Sequence, residues 1–174
     1  EKGPVVVNLS TTRRIDDIAA KHGVEAFRSK VGEANVIEVM KNKGAAIGGE
    51  GNGGVISPKV HRGRDAMTGI ALVLQYVASS GKSIGELAAE LPDYSVVKEK
   101  ISFAGSFEEL SGRLRDKFDG NYNDLDGIRI DMDYGWVHVR RSNTEPVVRI
   151  IAEAESAGLA EKLVSQASAV AASI

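Results

Sequence analysis

Residues 128–154 read IRIDMDYGWVHVRRSNTEPVVRIIAEA, and their alternation decides the architecture of the second half of the chain. Over 128–132 apolar and polar side chains alternate, the period of a strand with one buried face. Asp133-Tyr134-Gly135 supplies turn chemistry, and a second alternating strand follows over 136–140. A third apolar run covers 147–154. Consecutive strands joined by short polar connections predict antiparallel hairpins.

Working outward, 98–103 reads as a further strand. Ser106-Phe107-Glu108-Glu109 reads as a capping box that opens a helix with Leu110, Leu114 and Phe118 on one stripe. Downstream, Leu159, Leu163, Ala167, Val170 and Ile174 form the core stripe of a last helix. The order β-α-β-β-β-α predicts an α+β domain: an antiparallel sheet with helices on one face.

The first half has a different rhythm. Residues 4–9 are a short apolar run of the kind buried on both faces. A helix is expected over 15–22, stopped by Gly23, and another over 33–43, stopped by Gly44, with Val36, Val39 and Met40 on one face. AAIGGEGNGG is a small-residue strand running into a glycine loop. Asp65 can cap a helix in which Met67, Ile70, Ala71, Leu74, Val77 and Ala78 recur at helical spacing. Ser83-Ile84-Gly85-Glu86 is a capping box for one more short helix. Strands alternating with helices predict a parallel α/β layer. The composition shift at Pro92 divides the chain into 1–95, an α/β part, and 96–174, the α+β domain. The chain opens EKGPVVVNLS, without an initiator Met and directly in a strand pattern, as expected of a fragment.

Composition narrows the function. Of 174 residues, 43% are hydrophobic, 5% are aromatic, and the net charge is −2. Few aromatics and a pI near 6.0 argue against nucleic acid and acidic lipid as partners. The absence of cysteine removes disulfides, thiolate metal sites and a thiol nucleophile. No apolar run reaches membrane-spanning length.

Two loops carry candidate chemistry. In VRRSNTEPVVR, Arg140, Ser142, Asn143, Thr144 and Arg149 offer guanidinium forks and short donors suited to a phosphate. The same residues also fit a solvated hairpin in which arginine pairs with Glu145 or Glu153. In Gly48-Gly49-Glu50-Gly51-Asn52-Gly53-Gly54, Glu50 and Asn52 are the only functional side chains. A carboxylate and an amide at a strand's carboxyl end suit sugar hydroxyls, although a flexible turn with a solvated Glu50 fits as well. Weaker candidates are Arg13 and Arg14 at a helix start, Lys30, and His61 and Arg64. His22 and His61 are too isolated for a metal site, and His138 reads as a packed or surface histidine.

GGEGNGG, RGRDAMTGIALVLQYVASSGKS and WVHVRRSNTEPVVRIIAEAES together resemble the phosphohexomutases, a family that includes phosphoglucomutase/phosphomannomutase and phosphoglucosamine mutase. The resemblance runs over essentially the whole chain. It implies the end of the family's third, α/β domain followed by its fourth, α+β domain. It further implies a cytoplasmic isomerase that interconverts hexose 1-phosphate and hexose 6-phosphate through a phosphoserine and a hexose bisphosphate. Mg2+ and the phosphoserine belong to N-terminal domains of the same protein, so this chain alone is expected to be inactive and to hold no metal ligand.

By the same resemblance Arg140, Ser142, Asn143 and Thr144 grip the phosphate that is not transferred, with Arg149 in support. Glu50 holds sugar hydroxyls. Lys30 sits where some relatives place a basic residue that helps proton transfer and is the possible catalytic residue, and Arg14 or Arg13 matches an arginine near the active cleft. Many relatives have Ser two residues after the Glu, then Gly-His. Here Asn52, Gly53 and Gly54 stand instead, so the histidine contact is missing. The alternative is a non-catalytic phosphosugar-binding module.

Overall fold

β1 (Val5–Asn8) runs parallel to β2 (Ala26–Ser29) on one side and to β3 (Ile47–Gly49) on the other. The connections are α1 (Arg14–His22) and α2 (Glu33–Lys43), which end on Gly23 and Gly44 at φ of 64° and 60°. Only glycine enters that left-handed conformation without strain. The computed structural model describes residues 2–142 and 144–174. They fall into two compact units, Glu1–Pro92 and Asp93–Ile174.

The sheet of the first unit is mixed rather than wholly parallel. After β3 the chain turns back at once into β4 (Val55–Ser57) and then β5 (His61–Arg64), both antiparallel to their neighbours. The reason is the length of the glycine loop: a parallel return needs a crossover of a dozen residues or so, and a tight turn allows only an antiparallel one. Val6, Val36, Met40, Ala45 and Ile56 form the core. Asp65 caps α3 (Ala66–Ser80), its Oδ1 accepting the Met67 N–H at 2.9 Å. Ser83 and Glu86 cap α4 (Ile84–Ala89) reciprocally.

The apolar stripe read along α3 does not pack as a core. Met67, Ile70 and Leu74 are 72%, 53% and 59% exposed, and Thr68 is the buried residue of this helix. Helical spacing fixes which side chains share a face; it does not supply the surface that covers them.

In the second unit five antiparallel strands stand in the order β6 (Ser95–Ser102), β10 (Val147–Ala154), β9 (Gly135–Arg141), β8 (Ile128–Met132), β7 (Asn121–Asn123). Ile128, Ile130, Val137, Val139, Val148 and Ile150 project to one face. There α5 (Phe107–Lys117) and α6 (Ala157–Ala172) cover them with Leu110, Leu114, Leu163 and Ala167. Ser106 caps α5 by accepting the Glu109 N–H, while the Glu109 carboxylate turns to Arg113, so half of the expected capping box forms.

The opposite face of β8 and β9 is polar yet buried. The Arg129 guanidinium lies 4.2 Å over the Trp136 ring and chelates Asp131. The Trp136 indole N–H donates to Glu153 Oε1 at 2.9 Å. His138, fully buried, is 2.6 Å from the Asp126 carbonyl through Nε2. A carbonyl only accepts, so Nε2 carries the proton. Burial disfavours the imidazolium and lowers the pKa of His138 from 6.5 to about 4.

Candidate functional site

The loops that follow β1, β2 and β3 meet at the carboxyl ends of those strands, the edge at which open α/β sheets bind ligands. Glu50, just past β3, is the centre of this cluster and is only 7% exposed through its side chain. Its Oε1 accepts the Asn8 side-chain amide at 3.0 Å and the Gly32 N–H at 3.0 Å. Its Oε2 lies 3.5 Å from Arg64 Nη1. Glu50 is therefore a held carboxylate and not a solvated one.

The backbone of this loop packs closely on itself. The Glu50 N–H donates to the Gly54 carbonyl at 3.1 Å and the Gly53 N–H to the Glu50 carbonyl at 3.2 Å. A Cβ on Gly49 would stand 2.5 Å from the Gly54 oxygen. Gly53 has φ of +87°. Asn52 is exposed, and its Oδ1 accepts the Gly54 N–H at 3.2 Å. The space beside Gly54 is filled by Arg64, whose Cδ would meet a Cβ there at 2.3 Å. An apolar cavity of about 660 Å3 adjoins the loop, lined by Val5, Val7, Ile15, Ile18 and Leu72 among others. Its lining suits apolar side chains rather than a charged ligand.

Lys30 is exposed at the end of β2, in the same group of loops. Arg14 opens α1, and its Nε donates to the Pro92 carbonyl at 2.7 Å, so that nitrogen is engaged within the unit. His61 lies 3.8 Å from Asp65. Three residues that build the site carry no obvious motif. Asn8 is buried and bridges Glu50 to Ser10 and Thr11. Arg28 ties down the loop after β1 through the carbonyls of Asn8, Thr11 and Thr12. Glu33 grips Arg64 through both carboxylate oxygens. Only their contacts across sequence separations of 16 or more reveal them.

The hairpin end of the second unit concentrates positive charge. Arg140 of β9, Arg149 of β10 and Lys100 of β6 are direct partners in register, which places three cations in one row on one face. Arg141, one residue on, points to the other face, where it donates to the Gly105 carbonyl at 2.6 Å. Glu145 in the connecting loop pairs with Lys100 at 2.6 Å and with Arg149 at 3.5 Å. The Lys100 hydrogen bond holds its carboxyl below the ordinary range. Arg140 has no such anion, and its buried Nε has no hydrogen-bond partner among the described residues.

Ser142 Oγ lies 3.4 Å from Thr144 Oγ1, and the Ser142 N–H donates to the Val147 carbonyl at 3.0 Å, fixing the loop to β10. Asn143 lies outside the described residues. The pairing of arginine with Glu145 that a solvated hairpin would show is present at Arg149. Among the described residues no group of three or more His, Cys, Asp or Glu side chains could hold a metal ion.

The family model described as phosphoglucomutase/phosphomannomutase, alpha/beta/alpha domain III, matches residues 1–94. That of the phosphoglucomutase/phosphomannomutase C-terminal domain matches residues 78–170. A probable phosphoglucosamine mutase of Methanopyrus kandleri is 37% identical over 94% of the chain, and the match spans 37% of that relative. A phosphoglucomutase/phosphomannomutase of Thermococcus kodakarensis is 38% identical over 88% of the chain and 34% of the relative. The chain thus spans little more than a third of the relatives it matches.

Among solved structures, a phosphoglucomutase/phosphomannomutase family protein of Burkholderia thailandensis superposes with a TM-score of 0.79 at 24% identity, covering 96% of this chain and 36% of that one. The Aspergillus fumigatus N-acetylphosphoglucosamine mutase, solved with GlcNAc-6P and magnesium, gives 0.71 at 19% identity, covering 98% and 39%. At these identities the two structures establish likeness of fold.

Proposed function

The chain belongs to the phosphoglucomutase/phosphomannomutase family, and from that premise we propose that it is the sugar- and phosphate-binding portion of a phosphohexomutase. The substrate class is a hexose phosphate, of glucosamine, mannose or glucose. In this reading residues 1–95 close the α/β sugar-binding domain, and 96–174 form the phosphate-binding domain.

Glu50 accepts sugar hydroxyls, with Asn52 beside it. Arg140, Ser142, Asn143 and Thr144 hold the phosphate that stays in place, and Arg149 supports them. Lys30 and Arg14 add positive charge near the sugar. A bisphosphorylated sugar must present first one end and then the other to the phosphoserine. A grip built on charge and short donors tolerates both orientations, because each end offers the same oxygens. The phosphoserine and the Mg2+ it works with are supplied by other parts of the longer protein, and no step of phosphoryl transfer is carried by the residues described here.

What supports this reading most is the cationic row Arg140–Arg149–Lys100, with Arg140 Nε buried and unpartnered among the described residues. A buried donor left unpaired costs about 1–3 kcal/mol, a cost that a bound phosphate removes. The test is a titration of the chain with inorganic phosphate and with glucose 1-phosphate, followed by NMR. Both ligands should shift the amides around 140–149, and glucose 1-phosphate alone should also shift those around 48–54. The chain by itself should convert no hexose phosphate. Turnover by these residues alone, or shifts confined to neither segment, would overturn the reading.

A further inference from the structure

Arg64 ends β5, Glu33 opens α2 and Glu50 follows β3, so three separate elements bring one cation between two carboxylates. Toward Glu33 the contact is a fork: the Arg64 N–H donates to Oε1 at 2.7 Å and its Nε to Oε2 at 2.9 Å. Toward Glu50 a different nitrogen is used, Nη1, at 3.5 Å from Oε2. Oε1 of Glu50 already receives its two donors from Asn8 and Gly32. Among the described residues Oε2 has Arg64 alone, so Oε2 is the oxygen left to accept from a ligand.

We propose that Arg64 is a positioning residue: clamped by Glu33, it sets the orientation of Glu50 Oε2 toward sugar hydroxyls. This deepens the hydroxyl-binding role of Glu50 and rests on it. A planar guanidinium can address two carboxylates along different edges, which a lysine ammonium on a flexible stem cannot do in fixed geometry. The absence of a side chain at Gly54 gives the Arg64 stem its path, since a Cβ there would stand 2.3 Å from Cδ. Glu33 is a durable anchor. The backbone N–H of Arg64, and then its side chain, hold the Glu33 carboxyl below its ordinary value. Arg64 also neutralises part of the charge around Glu50, so a sugar approaches a site of two carboxylates and one cation rather than two bare anions.

The experiment measures dissociation constants of glucose 1-phosphate and of inorganic phosphate for the 174-residue chain by NMR titration. Arg64→Ala should weaken glucose 1-phosphate by about tenfold, the scale of one charged hydrogen bond, and leave inorganic phosphate unchanged. Arg64→Lys should recover part of the loss. Glu33→Gln, which loosens the anchor, should fall between wild type and Arg64→Ala.

The decisive comparison is the Glu50→Gln background. There Arg64→Ala should change glucose 1-phosphate affinity by less than about twofold, because the group being positioned is gone. An equal loss in both backgrounds would mean that Arg64 only supports the fold, and no loss in either would remove it from the site; both overturn the proposal. A wild-type chain that binds glucose 1-phosphate no better than inorganic phosphate overturns the hydroxyl reading of Glu50 itself, and the role of Arg64 with it.

Discussion

Arg140 and Arg149 stand directly opposite one another across β9 and β10. Like charges at such a cross-strand position repel and weaken the pairing. Glu145 relieves Arg149 but not Arg140, so the strain falls on the residue whose Nε is buried without a partner among the described residues. Such a pair is tolerable where an anion completes it. Arg140→Ala should therefore leave the unliganded chain no less stable. It should lower phosphate affinity at least about tenfold, from roughly 1.5–3 kcal/mol per charged hydrogen bond. Thermal denaturation with and without phosphate checks both halves: the phosphate-induced rise in Tm should nearly vanish in the variant. A large loss of stability without ligand would show that Arg140 is structural.

Glu145 already occupies the cations that a phosphate would use. Its carboxylate lies 2.6 Å from Lys100 and 3.5 Å from Arg149. Glu145→Gln should release both and tighten inorganic phosphate binding, the reverse of the effect at Arg140. The hydrogen bond from Lys100 keeps the folded pKa of Glu145 below 4.5. Its competing charge should therefore persist across the neutral and mildly acidic range. Protonation should release the cations only as the pH falls through that lowered value. Titrations of wild type and variant at neutral pH decide the point, and equal affinities would show that Glu145 does not compete.

Much of this was legible in the sequence where local chemistry settles the structure. The helix over 33–43 and the strands over 128–132 and 147–154 fall where periodicity and flanking turn residues put them. β2, β4, β5 and β7 escaped notice because three or four residues are too few to show alternation. The glycine loop and the hairpin were visible as composition. The grip of Asn8 and Gly32 on Glu50, the clamp of Glu33 on Arg64, and the row linking Lys100 to Arg140 are products of register and crossover. No local pattern encodes them. The helical spacing read over α3 is matched by a helix there, but what covers its apolar stripe was not legible.

Gly127, beside the cationic hairpin, should not tolerate a side chain. Its φ is +72°, and a Cβ would stand 2.3 Å from the Val139 carbonyl oxygen and 2.7 Å from Arg140 Cβ. Backbone atoms of a central strand cannot move aside cheaply. Gly127→Ala should cost on the order of 1–3 kcal/mol, the scale of one strained backbone position. It should also disturb phosphate binding by displacing Arg140. Urea denaturation measures the first effect. A variant as stable as wild type would mean that the turn relaxes freely.

His138 should make stability fall in mild acid. Burial lowers its folded pKa to about 4, against 6.5 in the unfolded chain. Between those values the unfolded state binds the extra proton, so protonation favours unfolding. The contribution is fully present above pH 6.5 and is lost as the pH falls toward about 4. At 1.36 kcal/mol for each tenfold change, the full effect is roughly 3 kcal/mol. His138→Gln keeps a donor for the Asp126 carbonyl and has no titrating group. Its stability should then vary less with pH across this window, even if it is lower at pH 7. Chemical denaturation of wild type and variant at several pH values gives the comparison. Parallel curves would show that His138 is not the group responsible.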